Sequence, residues 1–148
     1  MSTIEKSIEV NVPVRTAYNQ WTQFEEFPLF MEGVKEVYQL DDTHLHWKAE
    51  IAGQDTEWDA EIIEQTPDAR IAWTSRTGAL NGGLVTFQRL SDVTSKVMLQ
   101  LAYEPQGVVE HIGDALGLVS SRVEGDLERF KAFIEQRGRE TGAWRGKV

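Results

Sequence analysis

Between Val109 and Ile134 an apolar residue returns every third or fourth position: Val109, Ile112, Leu116, Val119, Val123, Leu127, Phe130 and Ile134. Such spacing keeps all of them on one side of an α-helix. The run predicts one helix from about Val108 to Arg137, about seven turns and on the order of 40 Å long. Glu110, Asp114, Arg122, Asp126, Glu128, Arg129 and Lys131 fall outside the stripe and read as its solvent face. Gly138 supplies the stop. A helix this long, apolar along one side only, has to lie against something broad.

The preceding residues provide it. Ile4, Lys6, Ile8, Val10 and Val12 alternate with Glu5, Ser7, Glu9 and Asn11, the period of a half-buried strand. Asn11 reads as a helix cap and Pro13 as an early helical position, so a short helix is expected over residues 13–22. Phe24 to Met31, dense in aromatics and broken by Pro28, reads as a second short helix. From Val34 to Tyr103 the pattern is strands. Val34–Leu40 slips parity between Val37 and Tyr38, which suggests a bulge. Leu45, Trp47, Ala49 and Ile51 share a face, as do Trp58, Ala60 and Ile62, then Ile71, Trp73 and Ser75, then Val85 and Phe87, and last Val97, Leu99, Leu101 and Tyr103. Asp41-Asp42, Gly53-Gln54, Thr66-Pro67-Asp68, Gly78–Gly83 and Asp92 mark turns or loops, and Glu104-Pro105-Gln106-Gly107 ends the run. Short consecutive strands with tight turns imply an antiparallel meander.

One apolar sheet face and one apolar helix stripe are buried most simply by laying the helix across the concave side of a bent sheet. The expected class is α+β: a curved antiparallel sheet wrapped around a long C-terminal helix, with two short helices after the first strand. At 148 residues the chain reads as one domain, residues 1–138, followed by a polar tail, residues 139–148, that carries Trp144 among Arg137, Arg139, Arg145 and Lys147. The tail either docks on the domain's acidic surface, binds a partner, or frays.

These residues resemble a known family. The order of elements is similar to the helix-grip fold of the START/Bet v 1-like (SRPBCC) superfamily, and most to its polyketide cyclase/dehydrase and coenzyme-Q-binding-like branch. The resemblance runs from Ile4 to about Gly138. It rests on Ser7-Ile8-Glu9-Val10-Asn11-Val12-Pro13-Val14 leading into Tyr18 and Trp21, the aromatic segment before Val34, the Trp47 strand, Trp58-Asp59-Ala60-Glu61-Ile62, Pro67 with Ile71-Ala72-Trp73, and Tyr103-Glu104-Pro105. It implies an elongated hydrophobic cavity between sheet and final helix. It implies no single reaction, because members bind lipids, quinones, hormones or polyketides and only some do chemistry.

Parity nominates the cavity wall. Trp47, Trp58, Trp73, Phe87 and Tyr103 fall on the inward side, joined by Ser75 and, from the helix, Leu116 and Ser120; Thr56 is a further inward polar residue. Flat rings there stack on a planar ligand or fill the core. Gly113 and Gly117, one turn apart, leave room for a ligand or allow close packing. Glu57, Asp59, Glu61 and Arg76 fall on the outward side, so few titratable groups reach inward. Tyr103 and Ser75 are the best candidates to orient a substrate oxygen, although neither is a general base without a partner.

Other chemistries are disfavoured. Without cysteine there are no disulfides and no thiolate metal sites. His44 and His46 share a strand face but lack a third ligand, so no metal is expected; His111 reads as structural. Gly78 and Gly82-Gly83 lack the lysine and helix of a phosphate loop, and no cofactor is implied. A net charge of −9 disfavours nucleic acid. Residues 1–6 do not read as a signal peptide and no stretch reads as an integral membrane segment, so a cytoplasmic protein is expected. The expected partner is a small hydrophobic ligand, and a homodimer stays open. Three functions remain: binding of a lipid, quinone or aromatic polyketide-like molecule; a cyclase, aromatase or dehydratase acting mainly by positioning; or a protein-interaction module.

Overall fold

A computed structural model describes residues 2–51, 54–75, 80–103 and 112–148. Strand β1 (Ser2–Val10) leads into α1 (Val14–Trp21) and a 3-10 helix (Phe24–Leu29). Six strands follow: β2 (Val34–Gln39), β3 (His44–Ile51), β4 (Gln54–Thr66), β5 (Arg70–Ser75), β6 (Leu80–Arg89) and β7 (Ser95–Tyr103). The described part of the last helix, α2, spans Ile112–Arg137. One sheet of seven strands runs in the order β1-β7-β6-β5-β4-β3-β2, every pair antiparallel. This is the α+β helix-grip architecture, a curled half-barrel sheet around a C-terminal helix. Residues 104–111, which hold His111, the Glu104–Gly107 segment and the start expected for the last helix, lie outside the described residues, as do Gly53, Arg76 and Gly78. So do the side chains of Tyr103 and Leu116.

The alternation of the sequence becomes the two faces of the sheet. Leu45, Trp47, Ala49, Trp58, Ala60, Ile62, Ile71, Val85, Phe87, Val97, Leu99 and Leu101 are all buried, and Val123, Leu127, Phe130 and Ile134 of α2 are buried with them. Two bulges break the period. In β2 the register shifts between Val34 and Glu36, ahead of the slip expected at Val37 and Tyr38; Val37 still points in and Tyr38 out. In β4 the shift lies between Ile62 and Glu64. It leaves Ile63 54% exposed and brings Gln65 inside.

Asn11 does not cap α1. The residue flanking the helix is Pro13, without a side-chain cap, and the Asn11 N–H instead donates to Glu135 Oε2 at 2.7 Å, which pins the strand-to-helix corner to α2. Gly138, at φ +76°, ends α2 as expected, its N–H returning to the Ile134 carbonyl at 2.9 Å.

Helix α1 is buried on two sides. Ala17, Tyr18 and Trp21 face the core, yet Asn19 and Gln20 are buried as well. The C-terminal tail explains this, because it folds back along the helix. Asn19 Nδ2 donates to Glu140 at 2.8 Å, and Gln20 exchanges two hydrogen bonds with Thr141, at 3.1 and 2.8 Å. The Trp144 N–H donates to Thr22 Oγ1 at 3.0 Å. Arg145 reaches Asn19 Oδ1 at 2.6 Å and Asp68 Oδ2 at 2.9 Å, its guanidinium 5.6 Å from the Tyr18 ring centroid. Backbone bonds between Val148 and Gln65 close the strap. Arg145→Ala strands the buried Asn19 amide oxygen, so a loss of about 1–3 kcal/mol is expected in urea unfolding. A change below about 0.5 kcal/mol, the scale of an ordinary surface substitution, would mean the strap is idle.

Candidate functional site

The sheet's concave face, the 3-10 segment and α2 enclose a cavity of about 220 Å³. Its wall starts with a register fact: Trp47 of β3 sits directly opposite Trp58 of β4. Their rings stack, 5.7 Å between centroids and 5° from parallel, and Phe27 leans on Trp47 at 5.5 Å. Ile62, Ile71, Leu99 and Leu101 continue the surface. Trp73 of β5 adds a half-buried ring that lies across Gly83 of β6; a Cβ there would overlap the indole, so only glycine fits beneath it.

The mouth is charged. Residues 30–33 connect the 3-10 helix to β2, with Gly33 at φ +89°, and three charged side chains of α2 hold this loop. Arg122 Nη1 donates to the Glu32 carbonyl at 3.1 Å and the Glu50 carbonyl at 3.3 Å. A Cβ at position 33 would collide with that nitrogen, so Gly33 provides the seat of the guanidinium. Asp126 Oδ1 accepts the Glu32 N–H at 3.0 Å and a bond from Arg129 Nη2. Arg129 Nε donates to the Phe30 carbonyl at 3.1 Å, and its Nη1 lies 3.4 Å from the Glu32 carboxylate. Asp126 is only 9% exposed. Burial raises its pKa to about 6, outweighing Arg129, the Glu32 N–H and the more distant Arg122 charge. A carboxyl that exchanges its proton near neutrality at the edge of an apolar cavity is equipped for acid–base work.

The residues nominated by parity divide. Trp47, Trp58 and Trp73 line the cavity. Phe87 packs beneath α1 instead, edge-on to Tyr18 at 5.3 Å and Trp21 at 6.3 Å, as core filling. Ser75 keeps its Oγ buried with no hydrogen-bond partner among the described residues, and Ser120 is half-buried; neither is on the cavity wall. Of Tyr103 and Leu116 only the backbone is described.

Two polar groups of the wall, Arg122 and Asp126, were expected on the solvent face of α2, and the structure corrects this. Asp126 falls three residues after Val123 and four before Phe130, and Arg122, Asp126 and Arg129 recur at helical spacing. The row borders the apolar stripe, and the loop at residues 30–33 covers it. Trp21, Phe24, Phe27 and Met31 also line the cavity, having read only as parts of short helices. On the outer face His46 bonds Asp59 at 2.7 Å and Glu57 at 3.0 Å, which raises its pKa, and His44 bonds Asp41 at 2.9 Å. Among the described residues no cluster of three or more such side chains is arranged to hold a metal ion.

Residues 10–132 match the family described as polyketide cyclase / dehydrase and lipid transport. The chain belongs to this family. A protein of Streptomyces lincolnensis, described as an uncharacterized 17.2 kDa protein in the melC2-rnhH intergenic region, is 58% identical over 149 aligned positions, covering 100% of this chain and 99% of the relative. The crystal structure of the Zhui aromatase/cyclase from Streptomyces sp. R1128 superposes with a TM-score of 0.80 at 14% identity, over 97% of this chain and 99% of that one. A START superfamily protein from Mycobacterium smegmatis gives 0.69 at 17% identity, over 86% and 97%. At these identities the superpositions speak for the fold alone. The family's START/Bet v 1-like architecture is thus the one described above, and no described helix is long and apolar enough to cross a membrane.

Proposed function

We propose that the cavity binds a small hydrophobic molecule: a lipid, a quinone or an aromatic polyketide-like compound. The observation that carries this reading is the parallel Trp47–Trp58 pair set into an apolar wall. Stacked indoles present a broad, rigid face that suits a planar ring. Titration with a naphthoquinone such as menadione is expected to quench tryptophan fluorescence with one-to-one saturation. Trp58→Leu should weaken that binding about 3–10-fold, the worth of one aromatic contact. Saturable binding that Trp58→Leu leaves untouched would place the ligand elsewhere, and the absence of any binding would remove the reading.

A second reading, an enzyme of the cyclase, aromatase or dehydratase type, is favoured by Asp126. With its pKa near 6, this carboxyl can take a proton from an enolisable carbon or return one to a departing hydroxyl. In that reading the aromatic wall positions the chain, and Asp126 takes over the part first assigned to Tyr103 and Ser75.

A further inference from the structure

Among the described residues two cations of α2 stand in different circumstances, Arg122 on the cavity wall and Arg129 on the loop beside it. Arg129 lies against two of the three acids that line the cavity, Asp126 and the Glu32 carboxylate; the third is Glu50. Among the described residues Arg122 bonds only main-chain carbonyls, those of Glu32 and Glu50, and both bonds leave from Nη1. Among the described residues no carboxylate lies within ion-pair distance of its guanidinium. Carbonyl dipoles hold the group in place without cancelling its charge. Its Nε and Nη2 edge keeps the two parallel N–H donors that match a carboxylate. Arg122 also borders the cavity, next to Val123 and one helical turn from Asp126. The chain as a whole carries a charge of −9 and so does not draw anions by its overall field. An anion that settles at this mouth has to be recognised locally.

We propose that Arg122 is a specificity residue that selects ligands ending in a carboxylate, so that the cavity takes a flat aromatic acid with its ring inside and its anionic end at the mouth. The proposal rests on the hydrophobic-ligand reading above. It adds a polarity to it: the apolar body goes in first and the charged end stays by α2. Gly33 belongs to the same device, because any side chain there would displace the guanidinium.

The test compares 2-naphthoate with its methyl ester at neutral pH, by fluorescence titration and calorimetry on the whole protein. The acid is expected to bind about 10–100-fold more tightly than the ester, the range of one charge-assisted pair at a half-exposed site. In Arg122→Gln the acid should lose its advantage over the ester; the ratio of the two affinities is the readout, because any loosening of the loop that Arg122 holds acts on both compounds alike. Saturable binding of the ester by the variant reports that the cavity is still folded. Arg122→Lys should restore part of the preference, since it keeps the charge but loses the planar fork. Equal affinity for acid and ester in the wild type, or a preference that survives Arg122→Gln, overturns the assignment and leaves the hydrophobic cavity standing. Binding of neither compound overturns both readings.

Discussion

Trp21→Ala should lower the unfolding free energy by about 3–5 kcal/mol, a large share of the roughly 5–15 kcal/mol typical of a domain. Trp21 is 2% exposed, and its ring touches four others: Phe130 at 5.0 Å, Phe27 at 5.6 Å, Phe30 at 6.2 Å and Phe87 at 6.3 Å. Those partners come from α2, the 3-10 segment and the loop after it, and β6. Removing one ring therefore loosens the joint of these elements and enlarges the cavity it borders. The check is urea unfolding followed by far-ultraviolet circular dichroism, since the variant also removes a fluorophore. A loss below about 1 kcal/mol would show that the elements dock independently of this cluster.

Asp126→Asn should have the opposite sign at high pH. The folded-state pKa of Asp126 is about 6, above its ordinary value of 3.8. Its protonated form therefore favours folding. That contribution is complete below pH 3.8 and is lost as the pH rises through about 6. Asparagine imitates the protonated form at every pH. The variant is expected to be more stable than the wild type by on the order of 2–3 kcal/mol at pH 8, because a tenfold change in proton affinity between the unfolded and folded chains corresponds to about 1.4 kcal/mol. The gap should close toward pH 4. Unfolding midpoints of both proteins across that range decide it. A variant less stable than the wild type at pH 8 would mean that the contact with Arg129 outweighs burial.

How far the chain could be read beforehand depended on whether a residue's surroundings are local. The strand faces of β3, β4 and β7 follow from a period of two, and the stripe of α2 from steps of three and four, so the sheet-and-helix grip was legible. Trp47, Trp58 and Trp73 followed from the same parity. Arg122 and Asp126 did not, because a charged residue beside an apolar stripe is placed in solvent unless something covers it. What covers it is the loop at residues 30–33, far away in the chain, as the separation of 94 between Glu32 and Asp126 records. Asn11 looked like a cap because of Pro13, but its N–H is taken by Glu135 across a separation of 124. The bulge after Ile62 is visible as two adjacent isoleucines only once Gln65 is known to be inside.

The pairing of β1 with β7 bears on how the protein is made. Ile4 lies opposite Leu101 and Val10 opposite Ser95, and among the described residues β1 has no other neighbour in the sheet. At ribosomal rates of about 5–20 residues per second, this first strand waits on the order of 5–20 s before its partner is even synthesised. Throughout that interval Ile4, Ile8 and Val10 form a nascent apolar ribbon with both edges unpaired. The apolar side of the N-terminal segment therefore stays uncovered through most of synthesis, and the Asn19 and Gln20 face of α1 stays uncovered longer still, until the strap that carries Arg145 has left the ribosome.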